Sequence, residues 1–179
     1  MRGVRALTVG LLLVLITAGK SVQAQQSQSR SGFWFSVGLG TGSLGCDGCS
    51  DRVSALSGNL ALGGTISQNV SLGVMTNGWT KSEGGVTLTA GTLTLAARLY
   101  TSKKGGFFIL TGLGVSSLSL GVYGYGQGHE TGTGAVVGVG YDFRVGKNVS
   151  ITPFYNGFAG KFDSGDFNVG QIGAGITVH

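Results

Sequence analysis

Three groups of residues in this chain are of types that could do chemistry. The first is Cys46-Asp47-Gly48-Cys49. Two thiols are too few for a zinc site, and no helical pattern follows to build a thioredoxin-like motif, so in an oxidising compartment the pair is expected to close a local disulfide. So small a loop would shape a loop tip more than it would stabilise a fold. The second group is Arg98, Asp142 and Arg144, the charges that fall within strand-like segments. A charge enclosed by protein needs a partner, and the three are expected to form either a structural network or a gate. The third is His129 beside Glu130, with His179 at the chain end. No second histidine completes a His-Glu-x-x-His metal motif, and the Gly-x-Gly pairs at 38/40, 112/114, 138/140 and 173/175 lack the Gly-Lys-Ser/Thr of a phosphate loop. No catalytic, cofactor or metal site is assigned, and the chain is read as non-enzymatic.

The elements that must position these residues follow from composition and periodicity. The chain opens with a basic Met1 to Arg5, an uncharged run from Ala6 to Gly19, and Val22-Gln23-Ala24 before a polar stretch, the pattern of a secretory signal peptide cleaved after Ala24. The apolar run is shorter than the roughly 20 residues of a spanning helix. Removing residues 1–24 leaves 155 residues, one domain, with 9 Lys+Arg against 7 Asp+Glu. The basic balance of the whole chain therefore belongs mostly to the leader, and no cluster of Lys/Arg with interleaved aromatics points to nucleic acid. Glycine is abundant, at 36 residues, yet without the three-residue period of collagen or the low hydrophobicity of a disordered chain.

The mature sequence alternates with period two. Ala135, Val137, Val139, Tyr141 and Phe143 face away from Gly134, Gly138, Gly140, Asp142 and Arg144, and after a polar turn at 145–148 the pattern resumes with Val149, Ile151, Pro153 and Tyr155. Comparable segments begin at Gly32, Val53, Val70, Val86, Phe107 and Asn168, which makes eight strands. In the segment Val86 to Tyr100 the apolar phase changes, and a bulge near Ala90-Gly91 would reconcile the two halves. Short turns (64–69, 101–106, 145–148) are expected to alternate with longer loops, the longest from Ser117 to Thr133 and another from Gly157 to Asp166. Pro153 removes one ladder hydrogen bond and marks either a bulge or a rim. Asn69-Val70-Ser71 and Asn148-Val149-Ser150 occupy equivalent turn-to-strand positions four strands apart.

Alternation alone fits a soluble barrel as well as a membrane one, and Gly32-Phe33-Trp34 matches the Gly-x-Trp start of lipocalins. The charges favour the membrane. Sixteen charged residues fall almost wholly in loops and turns, whereas a soluble barrel must coat its outer strand positions with them. With the apolar face turned to lipid, small residues (Gly, Ser, Thr, Asn) are expected to fill a narrow lumen, and Phe33, Phe107, Tyr141 and Phe143 gather beside the short turns as an interfacial girdle. The expectation is an all-β, eight-stranded, antiparallel up-and-down transmembrane barrel over residues 32–179, preceded by a short periplasmic segment at 25–31.

The signal peptide, the eight alternating segments, the Gly138-Val139-Gly140-Tyr141-Asp142-Phe143 end of the sixth strand and a final strand running to the last residue resemble the small outer-membrane barrels of the OmpA/OmpX type. The resemblance implies a bacterial outer-membrane location, outer-membrane lipid and the barrel-assembly machinery as partners, and a structural or surface-interaction role through external loops. A small-solute channel and a soluble binder of apolar ligands are the alternatives. The chain departs from the family in ending Thr177-Val178-His179 rather than on an aromatic, with His179 in the lumen phase.

Overall fold

A computed structural model of the protein describes residues 30–122 and 126–179. The expected signal peptide, residues 25–29 and residues 123–125 lie outside them. The elements are β1 (Gly32–Cys46), β2 (Val53–Ser67), β3 (Val70–Glu83), β4 (Val86–Tyr100), β5 (Phe107–Val122), β6 (Gly126–Tyr141), β7 (Phe143–Arg144), β8 (Val149–Lys161) and β9 (Asp166–Val178). Successive strands pair antiparallel from β1 to β6 and from β7 to β9, β1 also pairs with β9, and β6 pairs with β8, which closes the sheet. The two-residue β7 continues β6 beyond a break at Asp142, so the wall has eight staves. Closure leaves no free edge.

The interruption between β6 and β7 has a local cause. The β6–β8 ladder runs as far as Gly140–Phe154 and resumes at Phe143–Ile151. The gap lies opposite Pro153, which has no N–H to give; on the other side of the strand the Asp142 N–H donates to the Gly106 carbonyl (3.0 Å), one pair beyond Phe107–Tyr141 in the β5–β6 register. Pro153 thus sits at a break in the ladder, close to the end where both described chain termini lie.

The sequence expectation on connections is corrected. The stretch 117–133 is no loop: β5 runs to Val122 and β6 starts at Gly126. Likewise β8 continues to Lys161 and β9 begins at Asp166. Connections are short at both ends, and the expected alternation of long and short loops is absent. The bulge at Ala90-Gly91 is absent too, because β4 pairs in unbroken register with β3 and with β5. The phase change that suggested it has another origin. At the terminal end the outward positions are apolar (Leu39, Leu62, Leu95, Leu113 and Ile176, all exposed) and the inward ones largely polar. Toward the far end the order inverts. Outward positions become Thr80, Thr89, Ser119, His129 and Thr131, paired by hydroxyl contacts such as Thr80–Thr89 (3.2 Å) and Ser82–Thr87 (2.9 Å). Inward positions become Leu44, Trp79, Leu88, Leu118, Phe162 and Phe167. Strands of 13 to 16 residues exceed the roughly 9–11 that cross a bilayer, and the excess forms a second, water-facing storey with an ordinary apolar core.

Small residues do not fill the lumen by themselves, as the sequence reading expects. Trp34, Met75, Phe108, Phe154 and Phe158 are buried within it. Glycine makes the room: a Cβ on Gly38 would lie 2.6 Å from Phe154 Cε1 and 3.0 Å from the Asn59 amide, and one on Gly42 would lie 2.8 Å from Trp79 Cδ1. The β3–β4 hairpin needs glycine for a different reason, since Gly84 and Gly85 turn with φ of 58° and 80°. Gly38→Val is therefore expected to lower the stability of the refolded barrel by about 2 kcal/mol through overpacking. Gly64→Ala, whose added Cβ meets nothing within 4 Å, should leave the urea midpoint unchanged in the same measurement.

Candidate functional site

The lumen is the place where this chain gathers its polar and charged groups. Its centre of chemistry near the terminal end is Asp142, fully buried. The Tyr100 hydroxyl donates to Asp142 Oδ2 (2.8 Å), the Thr152 hydroxyl donates to Oδ1 (2.7 Å), and His179 Nε2 stands 3.5 Å from Oδ2. Thr152 continues the chain of hydroxyls to Thr177 (2.9 Å), which donates to Ser36 Oγ (3.0 Å). The carboxylate is thus tied to β4, β8, β9 and β1. Two of these ties share one backbone device. The Tyr100 N–H donates to the Asn69 carbonyl (2.8 Å) and the His179 N–H to the Asn148 carbonyl (2.9 Å). The two Asn-Val-Ser segments therefore pin Tyr100 at the end of β4 and His179 just beyond β9, and both of these side chains reach Asp142.

Arg98, two residues before Tyr100 on the same face of β4, is buried with its guanidinium 4.3 Å from the Trp34 ring centroid and 5.0 Å from that of Phe108. Its charge also acts on Asp142, so cation–π contact and a nearby carboxylate together offset its burial. Of the three charges singled out from sequence, the structure brings Arg98 and Asp142 together. Arg144 lies at the rim on β7, half-buried, and among the described residues its side-chain Nε has no hydrogen-bond partner.

The terminal mouth is closed by a residue that sequence reasoning missed. Arg30, ahead of β1, is 2% exposed, with its guanidinium 3.5 Å over the Tyr100 ring centroid. It donates to the carbonyls of Gln68 (3.3 Å), Ser102 (3.5 Å) and Gly105, capping two turns at once. Periodicity gives no signal for it, because it precedes the first strand. Tyr100, Thr152 and Thr177 were accessible to the same counting that found Arg98, since they occupy the lumen phase of their strands.

Above Arg98 the lumen narrows to a cavity of about 10 Å³ lined by Asn59, Met75, Phe108, Phe154 and Asn156 among others, no wider than one water molecule. Buried amides from Asn59, Asn77, Asn156 and Gln171 face this level. Higher still, Phe158 meets Phe167 edge-on (6.3 Å) and Phe162 stacks on Phe167 (5.7 Å), with Leu44, Leu88 and Leu118 packed around them. A cavity of about 160 Å³ remains at this far mouth, bounded by Cys46, Asp47 and Asp166. Cys46 and Cys49 are joined there by a disulfide with Cα atoms 5.3 Å apart. At the neighbouring hairpin tip Lys81 Nζ lies 2.8 Å from Glu83 Oε2, and this partner holds the Glu83 carboxyl below the usual carboxylate range.

On the outer wall, Phe33 (66% exposed), Phe107, Tyr141 and Phe143 all lie near the terminal end, with the Tyr141 and Phe143 rings 4.5 Å apart. His129 also lies outside, between Ser119 (2.9 Å) and Thr131 (3.2 Å), while Glu130 bonds Ser164 across the far rim. Among the described residues no group of three or more His, Cys, Asp and Glu gathers to hold a metal ion.

No protein-family model and no curated protein matches the sequence. Solved structures do match. Neisserial surface protein A (NspA) aligns at 16% identity over 84% of this chain and 99% of its own, with a TM-score of 0.69. Ail, the attachment invasion locus protein of Yersinia pestis, aligns at 16% identity over 83% and 99%, with a TM-score of 0.56. The N-terminal β-barrel domain of Pseudomonas aeruginosa OprF aligns at 14% identity over 83% and 99%, with a TM-score of 0.52. At these identities the likeness is one of fold, and it extends along nearly the whole length of each neighbour. A closed antiparallel wall of eight staves, apolar without and polar within around Asp142, gives this chain the fold of the small eight-stranded outer-membrane barrels.

Proposed function

We propose that this chain is a bacterial outer-membrane protein with a structural or surface-interaction role. Export through the signal peptide at residues 1–24 and insertion by the barrel-assembly machinery would put the terminal end in the periplasm and the far end outside the cell. The observation that carries the reading is the closed lumen: Arg30 caps one mouth, the cavity beyond Arg98 is about 10 Å³, and the Phe158/Phe162/Phe167 cluster packs across the lumen beneath the cavity at the other mouth. A barrel so filled offers solutes no path. What it offers the outside is a rigid rim of extended hairpins, the hydroxyl-rich outer surface of β4 to β6 and the Cys46–Cys49 tip, suited to an extracellular ligand or surface. The solved neighbours are outer-membrane and surface proteins, which supports the location.

Fractionation of expressing cells tests the location. The mature protein is expected in the outer-membrane fraction, with a mobility on denaturing gels that shifts on boiling; a soluble periplasmic protein without a shift would favour the lipocalin-like alternative. Planar-bilayer recording tests the role. The wild type should show no stepwise conductance, and discrete steady openings would favour the small-solute channel. Asp142→Ala removes the carboxylate beside buried Arg98 and should cost about 3 kcal/mol in urea unfolding, without opening a pore, because Trp34, Phe108 and Phe154 still fill the lumen.

A further inference from the structure

Most of the outer wall is an even apolar band, but one stretch of it is recessed. Where β6, β8, β9 and β1 meet, the outward positions Ala135, Ala159, Gly157 and Gly170 carry little or no side chain and form the floor of a groove of about 670 Å³. Tyr155 and Ile172, 57% and 59% exposed, stand beside it. Arg52 closes its upper end.

Arg52 lies flat across the outside of β1: a Cβ on Gly45 would come within 2.6 Å of Arg52 Nη1. Its Nε donates to Ser43 Oγ (3.1 Å), Nη1 to Asn168 Oδ1 (2.6 Å), and Nη2 to the carbonyls of Ser43 and Asn168. Every one of these acceptors is neutral, and among the described residues Arg52 forms no ion pair. The side chain is therefore a positioned cation whose charge is left uncompensated. Its height is also informative. The paired rows Thr41–Ile172, Ser43–Gly170 and Gly45–Asn168 step off the top of the apolar band, so Arg52 stands where acyl chains would give way to headgroups.

We propose that this groove binds an anionic, phosphate-bearing acyl lipid of the external leaflet, with a chain laid over Gly157 and Gly170 and the phosphate on Arg52. The inference rests on the lipid-facing reading of the outer wall. A recess that opens only toward lipid is filled by a lipid chain, because an unfilled one forfeits dispersion contacts along its lining. The cation at its headgroup end then selects which lipid, since guanidinium and phosphate form short, charge-assisted bonds.

The test is retention of lipid A, or of its dephosphorylated form, by the full chain in phosphatidylcholine nanodiscs, counted by native mass spectrometry after release. The wild type is expected to retain the phosphorylated form about tenfold better. Arg52→Gln should bring the two forms within about twofold. Gly157→Leu should lower retention of both at least about fivefold by filling the groove; it is tolerated because its Cβ meets only Val137, at 3.8 Å and beyond. Equal selectivity in wild type and Arg52→Gln, or undiminished retention in Gly157→Leu, would overturn the lipid site alone. A wild type that does not insert into nanodiscs at all would overturn the lipid-facing reading and the site with it.

Discussion

Everything in this molecule depends on the impossibility of leaving a backbone N–H or C=O unpaired in hydrocarbon. Strands meet that constraint only when the sheet closes, and closure is made here by β1–β9 on one side and β6–β8 on the other. Once closed, the wall has two faces and two solvents. Near the termini the outer positions are apolar, as a lipid-facing wall requires, and the inside receives the polar residues. Farther along, the outer positions carry hydroxyls, the pattern reverses, and Leu44, Leu88, Phe162 and Phe167 turn inward. One continuous ladder thus serves two opposite hydrophobic patterns.

The polar interior of the first storey is organised by a single carboxylate. Asp142 accepts from Tyr100 and Thr152 and faces His179, and these groups come from three strands distant in sequence. A buried charge is an expensive way to hold strands together, and apolar packing would often serve stability as well. What Asp142 adds is specificity: its geometry is satisfied only when β4, β8 and the chain end arrive in one relative placement.

The stave count and the inward placement of Arg98 and Asp142 were legible in the sequence, because a period of two is a direct projection of strand geometry. Three things were not, each for a physical reason. The strand ends were cut short because Ser, Thr and Gly on a water-facing wall look like loop, as in 117–133, although a ladder satisfies their backbone as well as solvent does. The phase change in β4 read as a bulge because Leu88 and Leu93 point to opposite faces. In the structure the register holds and the surroundings change. The aromatic filling of the lumen was hidden because the alternation reports which face a residue takes and says nothing about how far its side chain reaches across. Phe154 over Gly38 is a contact between β8 and β1, and no local pattern encodes it.

The inversion of polarity along the strands bears on how faithfully they pair. In a barrel with one hydrophobic pattern, a slip of one residue turns the apolar set to the wrong side once. Here the same slip would err twice over: it would drive Ser, Asn and Thr of the lower storey into lipid, and at the same time turn Leu88, Leu118 and Phe162 outward into water. The two errors are opposite in sign and fall on one strand, so no shift of the strand along the barrel axis relieves both. The tall, hydroxyl-coated hairpins that rise above the apolar band therefore act as a register check on the segments below them, independent of any partner they meet outside.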